Sequence, residues 1–240
     1  MIGEASVKFI SLGSARQFLH DLFGFRSVKL DGIRVVCDKS RMDPMICRAL
    51  LRGNYELAER VLVRAAIRPA DNVLEIGAGI GVVSLVCARL VGHGQVTSYE
   101  ANSSLASMII ENFSLNGLSP RLTLKAVTVT GGAVDFFKNE NFISSSTLDR
   151  NMISEKVSVE SDSINEAIEN ANANVIVMDV EGAEVGLLKV ANLTRIREII
   201  VEVHPHIVGD LLIEEMIDGL ETRGFIQKQC QHKTIWFTRA

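Results

Sequence analysis

Residues 72–90 read NVLEIGAGIGVVSLVCARL: a short apolar run, three glycines at alternate positions, and an apolar stretch of helical length. The pattern predicts a strand at Asn72–Ile76, a tight turn through Gly77, Gly79 and Gly81, and a helix over Val82–Val91. Three alternating glycines exceed what turning requires. They let backbone approach a ligand, with N–H groups at the helix N-terminus pointing at it, so the turn is a nucleotide-type site. The dinucleotide fingerprint does not fit, because its third glycine would fall at 82, where the chain has Val82. A tyrosine with a lysine four residues on, as short-chain dehydrogenases need, is also missing: Tyr55 is followed there by Glu59 and Tyr99 by Ser103.

Outward from this unit, strand-length apolar runs alternate with helical patterns, the signature of repeated βα units in an α/β fold with a mostly parallel sheet. The further strands are expected at Gln95–Tyr99, Leu122–Val127, Val175–Met178 and Glu198–Val203. Helices are expected at Ser103–Asn116, Ile164–Asn170, Ala183–Ala191 and Leu211–Arg223, the last stopping at Gly224. FIQKQC and TIWFTR then flank QHK, which predicts a C-terminal antiparallel hairpin. Upstream, SVKLDGIRVVC places Asp31-Gly32 between strand-like arms, and helices fit Asp43–Leu51 and Tyr55–Ala66. We read residues 1–53 as an N-terminal extension, serving as a cap, a dimer contact or plain packing, and 54–240 as the ligand-binding domain.

The bulk properties exclude several classes. The 240 residues carry a net charge of -4, and the pI of about 5.8 provides no global field for nucleic acid. No stretch approaches the roughly 20 apolar residues that span a bilayer. The N-terminus lacks the basic start and apolar block of a secretory leader, which makes the cytoplasm the expected location. Cys37, Cys47, Cys87 and Cys230 are far apart in sequence and form no C-x-x-C pair, so reduced, mostly buried thiols are expected rather than zinc or a disulfide framework.

The form E-x-G-x-G-x-G at Glu75–Gly81, with Glu100 ending the next expected strand, resembles motifs I and II of S-adenosyl-L-methionine-dependent methyltransferases. The antiparallel hairpin also suits their Rossmann-like class I sheet. The resemblance implies that Glu75, Gly77, Ala78, Gly79 and Gly81 meet the amino-acid end of the cofactor. It implies that Glu100 accepts both ribose hydroxyls, with Ala101 and Asn102 beside it; a carboxylate, being acceptor-only, can take both donors. Tyr55-Glu56, ENFSLNGL (111–118), KAVT (125–128), MDVEGAE (178–184) and VEVHP (201–205) follow the order of the FkbM family. That resemblance covers about 54–205 and implies O-methylation of a hydroxyl on a sugar, glycolipid or polyketide-like natural product. It places Ala126 and Val127 beside adenine, with strand packing as the alternative, and Tyr55 and Glu56 over the methionine end, with a helix start as the alternative. The chain departs from the family at Glu75, Gly79, Ala101 and Val177, where members often have Asp, Asn, Pro and Lys.

Ligands of open α/β sheets sit beyond the C-terminal strand ends, where Asp179 and His204 are expected. These two are the leading candidates for a general base toward an alcohol, with Asp179 alternatively binding the cofactor's ammonium. Glu181 points the same way as Asp179 if the chain is still extended there. Glu184 is read as an acid of a first helical turn that faces solvent or caps the following helix, and His206 as a lesser candidate base. Two carboxylates and two histidines near neighbouring strand ends could also bind a divalent metal, but no D-x-D or Asp-Asn pattern is present, so no metal is assigned. A nucleic-acid methyltransferase would share the core, but the chain lacks an Asn-Pro-Pro stretch and a Pro-Cys dipeptide. RNA or protein methylation and a non-catalytic cofactor-binding domain remain the rival functions.

Overall fold

The computed structural model describes Arg16, His20 and residues 22–139 and 154–240, with the side chains of 136–139 and 154–156 left aside. Most of the N-terminal stretch read for a leader lies outside the described residues. The chain divides into two units, Met1–Tyr55 and Glu56–Ala240.

In the first unit, Ser27–Leu30 (β1) and Ile33–Val36 (β2) pair antiparallel. Asp31 (φ 51°) and Gly32 (φ 86°) turn the chain between them, the left-handed pair that a two-residue hairpin demands. Pro44–Arg52 (α1) starts on Asp43, whose carboxylate accepts the Met45 N–H at 2.6 Å. Cys37 and Cys47, far apart in sequence, meet here with their sulfurs 2.6 Å apart; both are buried thiols, as is Cys87, in line with the expectation of reduced, mostly buried thiols. Loop closure between β2 and α1 brings together what sequence spacing hides.

The second unit begins with Leu57–Ala66 (α2), followed by Val73–Ile76 (β3), Val82–Val91 (α3), Val96–Tyr99 (β4), Ala106–Ser114 (α4) and Arg121–Thr123 (β5). Next come Ala126–Thr128 (β6), Gly132–Asn139 (β7), Ser154–Ser163 (β8), Ile164–Ala171 (α5), Val175–Met178 (β9) and Glu184–Val190 (α6). Glu198–Glu202 (β10), Pro205–Val208 (α7), Asp210–Thr222 (α8), Phe225–Gln231 (β11) and Thr234–Arg239 (β12) complete it.

Seven strands form the main sheet in the order β11-β12-β10-β9-β3-β4-β5. Strands β10, β9, β3, β4 and β5 run parallel, and β12 runs antiparallel to both of its neighbours, as the hairpin pattern predicts. Every residue of β3, β4 and β9 is buried, which explains why none of these strands alternates apolar with exposed polar residues and why β9 reads as a continuous apolar run. Alternate residues Leu74, Ile76, Ile176, Met178, Ile199 and Val201 pack into one core with Ile164, Leu187, Leu188 and Met216 from α5, α6 and α8. No helix among the described residues is long and apolar enough to cross a membrane.

One expected strand is corrected. Leu122–Val127 is broken: β5 stays in the main sheet, while β6 joins a three-stranded sheet in the order β6-β8-β7. At the break, Lys125 gives its Nζ proton to Asp162 at 2.8 Å, tying the chain to β8. Strands β7 and β8 themselves had no sequence expectation; VSVESDS carries too few apolar residues to read as half-buried.

Candidate active site

Gly77, Gly79 and Gly81 all have positive φ, at 88°, 54° and 81°. A Cβ on Gly77 would lie 1.8 Å from the Asp179 carbonyl oxygen, so only glycine lets the end of β3 pass the end of β9. The N–H groups of the turn do not point at a ligand as expected. Gly77 and Ala78 donate to the Tyr99 carbonyl at 3.0 and 3.1 Å, Gly81 to Ala78 at 2.8 Å, and Gly79 to Glu100 Oε2 at 2.8 Å. The start of α3 is occupied as well, because the Glu75 carboxylate accepts the Ser84 hydroxyl and backbone N–H. Burial lifts the Glu75 pKa to about 6, against the pull of those bonds. The N–H groups of Gly77, Ala78, Gly79 and Gly81 are thus already bound by the chain itself.

Glu100 ends β4 in a buried position, fixed between the Gly79 N–H and the Asn102 N–H at 2.7 Å. Burial raises its pKa to about 7 despite both bonds. Its oxygens keep further lone pairs for incoming donors. Beside it, Asn102 Nδ2 is shut off from solvent with no hydrogen-bond partner among the described residues, while Asn102 Oδ1 accepts the Ser104 hydroxyl at 2.6 Å. Glycine backbone that a Cβ could not replace, an anchored acceptor and an orphaned donor together suit a neutral ribose-bearing group better than a phosphate. Ala101 is half-buried, Ala126 is buried, and Val127 belongs to the apolar core, the packing alternative raised for it. Tyr55 closes the first unit. Glu56 and Glu59 of the α2 start line a cleft together with Glu75, Gly77, Ala78, Val83, Val177 and Asp179.

The ends of β9 and β10 bring the expected catalytic residues together. His204 Nε2 lies 3.6 Å from Asp179 Oδ1, 3.6 Å from Glu181 Oε2 and 3.8 Å from Glu202 Oε1. Glu181 arrives by a left-handed turn (φ 49°) followed by Gly182, not by continued extension. Burial, then the charges of Glu202, Glu181, Glu56 and Glu59, push Asp179 well above the usual carboxylate range. Burial and Glu59 raise Glu202, with His204 and Lys233 pulling the other way. Burial works against a charged His204, yet Glu184, Glu181 and Glu202 outweigh it and raise its pKa. His206 is exposed, its ring 5.8 Å from that of His204.

Glu184 stands in the first turn of α6 as read, but the solvent-facing alternative is corrected. It is completely buried, and its carboxylate accepts the Gly182 N–H at 2.7 Å and the His204 N–H at 2.8 Å. Burial alone would raise its pKa; the His204 ring and these N–H bonds hold it below the usual range. Spacing at the head of a helix could not reveal a partner on β10. Glu202 did leave a signal, standing two residues before His204 on a strand and so on the same side. Glu59 left none; its carboxylate accepts the Thr234 hydroxyl far along the chain.

The family model for the Methyltransferase FkbM domain matches residues 75–226. Over 75 residues the chain is 36% identical to the "Probable ribosomal RNA small subunit methyltransferase A" of Methanothermobacter thermautotrophicus, covering 30% of this chain and 27% of that protein. The chain therefore spans about a quarter of that relative's length. Among solved structures, a methyltransferase from Pyrococcus furiosus aligns with a TM-score of 0.48 at 13% identity, covering 94% of this chain and 97% of that one. A precorrin-6y C5,15-methyltransferase from Geobacter metallireducens aligns with a TM-score of 0.46 at 12% identity, covering 74% and 84%.

Proposed function

The chain belongs to the FkbM methyltransferase family, and from that premise we propose that it is an S-adenosyl-L-methionine-dependent methyltransferase acting on a hydroxyl of a sugar, glycolipid or other small natural product. The observation that carries this reading is that Gly77 and Ala78 of the glycine turn line one cleft with Asp179, the carboxylate that also lies 3.6 Å from His204. Glu100 and Asn102 would hold the ribose side of the cofactor, and the glycine turn with Glu56 and Asp179 its amino-acid end. When bound, the cofactor supplies a methyl group activated by a sulfonium.

The chain's own part is to align the acceptor oxygen, exclude water and take its proton. Asp179 suits the last task, since its raised pKa brings a carboxylate toward the range of a base that works near neutrality. His204 holds its proton more tightly than a free histidine, which weakens it as first proton acceptor and makes it a partner to the surrounding acids. The base role shared between the two in sequence thus moves to Asp179.

Calorimetric titration with S-adenosyl-L-methionine, and separately with NAD, tests the cofactor; binding of NAD alone overturns the reading. Incubation of cell extracts with methyl-labelled cofactor tests the acceptor. Label is expected in the glycan or lipid fraction, and label confined to RNA or protein overturns the hydroxyl assignment.

A further inference from the structure

Where β9 and β10 end, the chain gathers more negative charge than it neutralises. Three carboxylates, from Asp179, Glu181 and Glu202, face the single imidazole of His204 at 3.6–3.8 Å. Those separations are too long for hydrogen bonds, which close at about 2.7–3.2 Å. They are close to what an ion would fill: ligands at about 2.1 Å set neighbouring donors about 3 Å apart. Asp179, Glu202 and His204 each offer one ligand atom, all within 4.8 Å of one another.

Two observations besides the acidity aim these groups at a common point. The His204 side chain is only 4% exposed, and its Nδ1, shut off from solvent and without a hydrogen-bond partner among the described residues, lies 3.4 Å from Glu184 Oε1. Two backbone N–H groups clamp Glu184 in turn. A carboxylate behind one ring nitrogen, with the other nitrogen facing acids, is how proteins orient a metal-ligating histidine. Asp179 Oδ1 is shut off from solvent and has no hydrogen-bond partner among the described residues, an orphaned acceptor turned toward the same nitrogen.

We propose that Asp179, Glu202 and His204 bind a divalent cation, leaving its other positions to water and to oxygens of the acceptor. One imidazole and two carboxylates suit Mn²⁺ or a similar first-row ion better than Ca²⁺, which takes six to eight oxygens. The inference rests on the reading of this cluster as the reaction centre and deepens it. With the ion in place Asp179 is a ligand rather than the free base of the metal-free reading; a hydroxyl coordinated beside it is acidified by the ion, and its proton passes instead to Glu181, the carboxylate outside the ligand set. The sequence offered the strand-end acids and histidines as a possible metal set and assigned none, because no D-x-D or Asp-Asn pattern gathers them in one motif.

The test uses the full chain, stripped with a chelator and titrated with Mn²⁺ alone while electron paramagnetic resonance follows the free ion. One site is expected, with nitrogen coupling from a bound imidazole in the pulsed spectrum of the wild type. Glu202→Gln weakens binding at least tenfold, and the exposed Glu215→Gln leaves it unchanged. No binding at millimolar Mn²⁺, or binding without nitrogen coupling, overturns the proposal. Calorimetry with S-adenosyl-L-methionine on the same metal-free sample separates the two readings. Cofactor binding without Mn²⁺ binding defeats the cation alone, whereas Mn²⁺ binding in a chain that takes NAD and not S-adenosyl-L-methionine defeats the methyltransferase reading.

Discussion

The main sheet carries a cluster of charge at each end, and the two clusters are built on opposite terms. At the starts of the strands, Arg197 donates to Asp71 from Nε at 2.8 Å and again from Nη2, pairs with Glu198, and reaches the Ala66 carbonyl at 2.9 Å. Asn174 and the Arg68 N–H complete the shell of Asp71, at 3.0 and 2.6 Å. Glu198 accepts from Trp236 Nε1 at 2.5 Å and from the Thr238 hydroxyl at 3.1 Å. Against the upward push of burial, these partners keep Asp71 below the usual carboxylate range. At the strand ends, burial and like charges drive Asp179 the other way. The saturated cluster joins α2, β3, β9, β10 and β12; the unsaturated one keeps free valence for something the chain does not supply. A buried charge that has all its partners speaks for architecture, and one that lacks them speaks for a ligand.

The comparison breaks hardest at Gly77. Alanine there would drive a Cβ into the Asp179 carbonyl in a left-handed backbone, so Gly77→Ala should cost at least about 4 kcal/mol or prevent folding, measured by urea denaturation. A loss under 1 kcal/mol would mean the strand ends are not packed as described. Next is Asp71→Ala, which strands Arg197 among buried partners and should cost about 3–5 kcal/mol near neutral pH. Because the folded pKa of Asp71 is lowered, its stabilisation is present above the unfolded value near 3.9 and fades as pH falls. The wild-type and variant stabilities should therefore converge in acid.

The smallest effect has the opposite sign. The folded pKa of Asp179 is raised, so its contribution is intact below the unfolded value and is lost as pH rises. Asp179→Asn should leave stability unchanged near pH 3 and increase it at pH 8 in chelated, cofactor-free protein. With the side chain 36% exposed and solvent screening discounted, the gain is about 0.5–1 kcal/mol. A loss at pH 8 would remove the contrast between the ends.

The elements that sequence revealed are those whose physics is local. Val82–Val91 and Val175–Met178 have the bounds that their apolar runs predict, because a helix buried over most of its length and a fully buried strand interrupt those runs at few places. Glu100 was legible because it ends the strand after the glycine turn. The strands β7 and β8 were hidden by polar composition, and the Cys37–Cys47 approach by the loop between them. Glu184 was misread for a sharper reason: an acid at the head of a helix looks the same whether it faces water or holds a histidine on another strand. Of the site, the turn and Asp179 came from motifs; the roles of Glu59, Glu184 and Glu202 came only from where the sheet brings their elements together.

The position of β12 has a bearing on how the protein is made. Thr234–Arg239 lies between β10 and β11, and the Lys233 carbonyl takes the Val203 N–H at 2.9 Å, one residue before His204. A ribosome delivers β10 well before β12. Until the later segment emerges, the strand that carries Glu202 and leads into His204 is an open sheet edge, with its backbone groups available to any passing strand. The end of the sheet that carries the His204 cluster is therefore closed late in synthesis, and until then the nascent chain is in need of shielding at β10.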